Sequence, residues 1–328
     1  MNIGVAVIGC GDRGANHAGE WNKRHESRVL TVFDIDRTRC DALAASTGAR
    51  SCASWEEAIL FEGVNVVSVC VPTVYHGQIT EFAAESGCHV FCEKPLALTL
   101  EEGKKTLDTI ERTGIIYMPC FQHRDRTPYP RQRELFREGT LGTPVRFRIT
   151  DIREVRPKVA MHQRSMNGGV VVDLGCHMID MMRYITGEEP LRVSATGSVF
   201  GRGKARLEGI TDLAVDEVNA EVSYTGGHQL QMYLNWGMPE GYPGFGEQML
   251  VGPLAVAQET QAGCEVGFGD HTETWPGPKP GTAYRIDRFV DAVEGIAPPD
   301  VTAEDAFVAL KVCLAILQSI RDGVAIDL

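Results

Sequence analysis

The sequence predicts an α/β protein in two parts: a doubly wound parallel sheet over residues 1–121, then an α+β domain over residues 122–328 with an open-faced, mostly antiparallel sheet. Three observations carry this reading. Short apolar runs alternate with helical stretches through the first 120 residues, and a glycine-rich turn follows the first run directly. After about residue 121 the segments lengthen and alternate with period two. A chain of 328 residues is long enough to bury a separate core in each part.

Taken in order, Ile3 to Ile8 reads as a strand, and a helix is expected after Gly14. Val29 to Phe33 is a second strand and Arg37 to Thr47 a helix. Ser54 stands where its hydroxyl can cap the amide of Glu57. Val64 to Val71 is apolar apart from Asn65 and Ser68, as suits a strand covered on both faces. Gln78 to Ser86 and Leu100 to Arg112 are helical, while His89 to Cys92 and Ile115 to Pro119 are strands. In the second part a helix over Tyr129 to Arg137, stopped by Gly139, precedes strands at Val145 to Val155, Leu191 to Phe200, Asn219 to Tyr224 and Gln229 to Trp236. Thr225-Gly226-Gly227-His228 reads as a hairpin turn between the last two. A helix near Asp173 to Ile185 interrupts the strands. Pro276 to Gly281 is a Pro/Gly-rich connector to two helices, Tyr284 to Glu294 and Ala303 to Arg321, the second capped by Thr302.

Gly9-Cys10-Gly11-Asp12-Arg13-Gly14 places G-x-G-x-x-G between a strand and a helix. The first glycine allows a tight turn, the second a close approach of backbone to pyrophosphate, and the third close packing of helix on strand. Asp34 ends the second strand twenty residues beyond Gly14, where a carboxylate takes the ribose hydroxyls and repels a 2′-phosphate. Together these identify a Rossmann domain that binds NAD in preference to NADP, with Arg37 near enough to moderate that preference.

Two further groups point to chemistry. Glu93-Lys94-Pro95 follows the strand His89 to Cys92, so it lies at the carboxyl end where parallel sheets bind ligands. A cis bond before Pro95 would aim Lys94 inward, although taken alone the lysine reads first as a solvated loop cation. After Gly168-Gly169, Asp173 and His177 are spaced i, i+4, with Asp180 continuing the same helical face. A carboxylate beside an imidazole suits a general base, but the pair by itself fits a packing role as well.

The formal net charge of −12 argues against nucleic acid or an anionic membrane as partner. No apolar run reaches the roughly 20 residues that span a bilayer, and no signal peptide is apparent. The ten cysteines include no C-x-x-C pair, which speaks against a metal site and for reduced thiols in the cytoplasm.

Gly9-Cys10-Gly11-Asp12-Arg13-Gly14, Glu93-Lys94-Pro95 and Asp173-x-x-x-His177, in this order, resemble the Gfo/Idh/MocA family of oxidoreductases. The likeness runs nearly end to end, to Thr302-Ala303-Glu304-Asp305-Ala306. It implies an active-site role for Lys94, a carboxylate role for Asp173 and proton transfer by His177. It also implies that Val71, Pro72, Thr73 and His76 line the cofactor, and that Gln122, in Phe121-Gln122-His123-Arg124, sits near the nicotinamide. Glu93 and Lys94 would then face the cofactor too. The family's usual Thr-Pro-Asn is here Val71-Pro72-Thr73, and Asn167 replaces a glycine that often precedes Gly168.

The expectation that follows is an NAD(P)-dependent dehydrogenase acting on a secondary alcohol of a sugar, inositol or related polyol. Arg124, Arg156 and Arg164 are candidate substrate contacts by position. The alternatives are a glycoside-cleaving enzyme that keeps NAD bound through oxidation, elimination and reduction, and a non-catalytic NAD-binding sensor. A homodimer or homotetramer is expected, because one face of the second sheet needs a cover.

Overall fold

The computed structural model describes residues 2–277 and 282–328. It divides into two compact units, Met1–Gln122 with Pro280–Phe307, and His123–Lys279 with Val308–Leu328.

The first unit is built on β1 (Ile3–Ile8), β2 (Ser27–Phe33), β3 (Arg50–Ser51), β4 (Val66–Val69), β5 (His89–Cys92) and β6 (Tyr117–Pro119). They pair in parallel in the order β3-β2-β1-β4-β5-β6, the doubly wound order with its switch between β1 and β4. Every residue of β1 and β4 is buried, which explains why they are apolar apart from Ser68, whose hydroxyl is satisfied by His17. The connecting helices are α1 (Asp12–Asn22), α2 (Arg37–Thr47), α3 (Trp55–Ile59), α4 (His76–Glu85) and α5 (Leu100–Thr113). Their starts are set by local chemistry: Asp36 accepts from the amides of Thr38 and Arg39, Ser54 from Glu57, and Thr99 from Glu102. α1 begins at Asp12, inside the glycine motif and ahead of the expected start after Gly14.

The second unit carries a nine-stranded sheet. Its strands are β7 (Arg146–Glu154), β8 (Pro190–Ser198), β9 (Glu217–Tyr224), β10 (Gln229–Met238), β11 (Phe245–Val251), β12 (Val256–Thr260), β13 (Gly263–Gly267), β14 (Thr272–Trp275) and β15 (Ile326–Asp327). The order is β14-β13-β12-β11-β7-β10-β9-β8-β15, antiparallel except where β10 meets β7. Along β9 and β10, Val218, Ala220, Val222, Leu230, Met232 and Leu234 are buried, while Asn219, Glu221, Gln231 and Tyr233 alternate with them on the other face. The strands β11 to β14 escaped the sequence reading because they are short and interrupted by glycine and polar residues. They are held by successive antiparallel pairing rather than by an apolar stripe. Two helices, α6 (Tyr129–Arg137) and α7 (Cys176–Thr186), belong to this unit.

The second domain is not continuous from residue 122 to 328, as the sequence suggested. α8 (Thr282–Val293) packs in the first unit, and the division falls after Phe307 within α9 (Ala303–Asp322). The reason is aromatic: Phe289 lies 6.0 Å from Trp21 and 5.5 Å from Phe91, all three fully buried. Arg24 pairs with Asp287, and buried Arg285 makes a two-pronged pair with Asp300 at 3.0 and 2.9 Å. Of the Pro276 to Gly281 connector, residues 278–281 lie outside the described residues. Among the described residues no helix is long and apolar enough to cross a membrane. The ten cysteines are free thiols, all buried except partly exposed Cys70.

Candidate active site

The glycine turn has the shape its motif demands. Gly9 sits at φ +97°, and a Cβ there would lie 2.5 Å from the Cys70 carbonyl oxygen. A Cβ on Gly14 would lie 1.7 Å from the carbonyl oxygen of Gly9, so helix and strand close on each other only through glycine. Gly11 is different. Nothing lies within 4 Å of the position its Cβ would take, and it caps α1 without a side chain to cover the first turn. That open space at a helix N-terminus fits a dinucleotide pyrophosphate, with Gly9, Gly11, Asp12, Arg13 and Gly14 forming the turn.

Asp34, just past β2, accepts from the Cys10 amide at 2.6 Å and from the Asp36 amide at 2.8 Å. Each carboxylate oxygen has a further lone pair, so holding the loop leaves capacity for ribose hydroxyls. Arg37 is exposed and turned to its own helix region, donating to the Cys52 carbonyl at 2.9 Å and pairing with Asp41 at 3.1 Å. Val71 and Pro72 are half-buried beyond β4, and Thr73 is buried in a short 3-10 turn. His76 is buried, with Nδ1 2.7 Å from the Pro95 carbonyl oxygen and Nε2 2.9 Å from that of Val71. It therefore staples the loop after β4 to the Glu-Lys-Pro segment. Burial pulls its pKa down against those two carbonyls.

Glu93 follows β5, buried at 6% exposure, and Lys94 beside it is half-buried. The Lys94–Pro95 bond is cis. His17, on α1, lies with Nε2 3.3 Å from Glu93, while its Nδ1 is 2.9 Å from the Ser68 hydroxyl. Arg13 stands 3.8 Å from the same carboxylate. Burial alone would raise the carboxyl of Glu93, but the hydrogen bond and charge of His17, then Arg13 and Lys94, hold it at about 2. His17 was not singled out from the sequence; its place one turn beyond Gly14 on α1 was the available signal. Gln122, half-buried, ends the first unit.

In the second unit, Asp173 and His177 do not share one regular helix. Val171–Gly175 forms a π-type turn, and α7 begins at Cys176. Such single turns often mark functional sites. Both residues are buried. The His177 ring stacks on His123, centroids 4.2 Å apart and planes 7° from parallel. Asp180 is fully buried and binds Arg124 through two hydrogen bonds of 2.9 and 2.5 Å. Arg124 is itself 6% exposed, so its guanidinium serves this pair rather than the substrate contact expected of it. Arg156 is half-buried over the Trp236 ring at 5.7 Å, and Arg164 is exposed.

Residues 3–121 match the profile described as oxidoreductase family, NAD-binding Rossmann fold, and residues 129–253 match the GFO/IDH/MocA C-terminal domain. The chain is 32% identical to D-glucoside 3-dehydrogenase of Escherichia coli over 56% of its length and 54% of that protein's. It is 25% identical to the scyllo-inositol 2-dehydrogenase (NAD(+)) of Bacillus subtilis over 99% of its length and 96% of the relative's. The match spans 62%, 54% and 63% of three of the curated relatives, less than two thirds of each. The crystal structure of aldose-aldose oxidoreductase from Caulobacter crescentus superposes with a TM-score of 0.85 over all of both chains at 22% identity, a likeness of fold. On both domain profiles and the near-complete alignment, the chain belongs to the GFO/IDH/MocA family of oxidoreductases, with an NAD-binding Rossmann domain.

Proposed function

We propose that the protein is an NAD-dependent dehydrogenase that oxidises, reversibly, a secondary alcohol of a sugar, inositol or related polyol. The observation that carries the reading is the attachment of Glu93-Lys94 to the glycine turn through His17 and Arg13, which fixes a lysine beside a dinucleotide cradle within one unit. Dinucleotide preference follows from Asp34, and from Arg37 being engaged by Asp41 and the Cys52 carbonyl rather than offered to a 2′-phosphate. The sugar and inositol dehydrogenases among the relatives support the substrate class.

When bound, the dinucleotide supplies hydride acceptance and donation. The chain supplies the rest. Lys94 Nζ donates a hydrogen bond to the reacting oxygen and stabilises its developing negative charge. His177 takes the hydroxyl proton at an imidazole nitrogen, and returns it in the reverse direction. Asp173 binds a neighbouring hydroxyl or orients that ring, and Arg156 and Arg164 contribute to substrate recognition. Gln122, Val71, Pro72 and Thr73 line the nicotinamide side of the cradle. The open, polar face of the nine-stranded sheet is the surface through which copies of the chain form a dimer or tetramer.

The test follows reduced-nicotinamide absorbance with NAD and a panel of sugars, inositols and glycosides, comparing wild type with Lys94→Ala and His177→Ala. Each variant is expected to lose at least about 100-fold in kcat while keeping NAD affinity within a few-fold. Wild-type turnover in either variant sinks the assignment of that residue.

A further inference from the structure

His123 was passed over in the sequence as one member of Phe121-Gln122-His123-Arg124, yet its ring packs directly against that of the candidate base. Its imidazole lies flat on that of His177, 4.2 Å between centroids and 7° between planes. Its plane is nearly parallel to that of Tyr129 as well, at 5.8 Å and 14°. Tyr129 in turn meets Phe147 of β7 edge-on at 6.1 Å, and both are buried. A column of rings thus runs from the sheet through Tyr129 and His123 to His177. The next residue, Arg124, binds Asp180, three positions beyond His177 on α7. The segment carrying His123 is therefore fastened to α7 at two neighbouring points, once by stacking and once by a buried ion pair.

This arrangement addresses a specific requirement. The terminal torsion of a histidine is broad, so burial on a helix does not by itself fix the plane of the ring. A base must present its lone pair along the direction of the hydroxyl proton, and misplacement by about 1 Å can cost on the order of 100-fold in rate. A flat neighbour at stacking distance removes the rotation about that torsion. We propose that His123 is a positioning residue: clamped by Tyr129, it sets the plane in which His177 transfers protons. The inference rests on the reading of His177 as the proton acceptor. What acts is the aromatic face, so a phenyl ring replaces it and a methyl group does not.

The test uses the full-length protein with histidine labelled in its ring nitrogens, as wild type, His123→Ala and His123→Phe, with NAD present. The His177 cross-peak is assigned by its loss in His177→Gln. Its ring-current shift is expected to persist in His123→Phe and to collapse or broaden in His123→Ala. With myo-inositol and D-glucose as probes, His123→Ala is expected to lose about 10- to 100-fold in kcat with KM within about 3-fold, and to show a larger solvent isotope effect. His123→Phe is expected to stay within about 3-fold of wild type on every count. An unmoved His177 signal in His123→Ala, or a phenylalanine variant as impaired as the alanine one, overturns the proposal. Failure of the underlying reading looks different: His177→Gln itself turns over at the wild-type rate.

Discussion

Glu93 in the first unit and His162 in the second are buried to a similar depth, at 6% and 1% exposure, yet one is held charged and the other neutral. Burial acts in the same sense on both, against the ionised form. At Glu93 it is outweighed by His17 and Arg13, and the carboxyl sits at about 2. At His162 burial is reinforced by the charges of Arg156 and Arg206, and the imidazole falls to about 4. Its Nε2 accepts the Arg156 amide at 2.9 Å, a bond that only the unprotonated nitrogen can make. Depth alone therefore does not set the state of an ionisable group; the balance of burial against all its charged and hydrogen-bonding partners does.

The largest way to break this contrast is to remove one charge from a pair in which both are buried. Arg124→Ala removes the two-pronged partner of Asp180 at zero exposure and is expected to cost about 3–5 kcal/mol, read as a fall in the urea midpoint. An unchanged midpoint would mean that Asp180 takes up a proton or finds another donor. Next in size are two acid limbs. The unfolded chain protonates His162 near 6.5 and the folded one only near 4, so its stabilisation is present above 6.5 and lost as pH falls toward 4, about 3 kcal/mol in all. The Glu93 contribution, of similar size, is present above 4.5 and lost only as pH falls toward 2. Urea midpoints across pH 8 to 3 check both: His162→Gln flattens the upper limb alone, and Glu93→Gln the lower limb alone. A single variant flattening both limbs would refute the separation. The smallest effect belongs to the exposed Thr302 hydroxyl. Thr302 and Asp305 exchange side-chain-to-amide bonds of 3.1 Å at the start of α9, and Thr302→Ala is expected to cost about 1 kcal/mol by thermal denaturation.

What the sequence revealed and concealed follows the range of the interactions involved. The glycine turn, the caps at Ser54 and Thr302 and the strand at His89–Cys92 rest on neighbours within a few residues, and each stands where the pattern put it. The helix near Asp173 to Ile185 also stands where it was expected; only the π-type character of its first turn, Val171–Gly175, left no signature in the sequence. Arg124 was offered to substrate because its partner Asp180, although noted on the face of Asp173 and His177, is remote from it in sequence. The stacking of His123 on His177 is equally remote. β13 and β14 could not be read at all, since Gly263, Gly267 and Glu273 mimic loop composition and only the sheet edge makes them strands.

The return of α8 to the first unit has a consequence for how the chain comes off the ribosome. Trp21 and Phe91 emerge early, but the ring that completes their cluster, Phe289, is translated only after most of the chain. The nascent dinucleotide domain therefore waits, with an aromatic face uncovered, through the synthesis of eight of the nine strands of the second sheet. A fragment cut at residue 122 would carry that exposed face permanently and should be sticky, while a chain that restores residues 282–293 in trans should solubilise it.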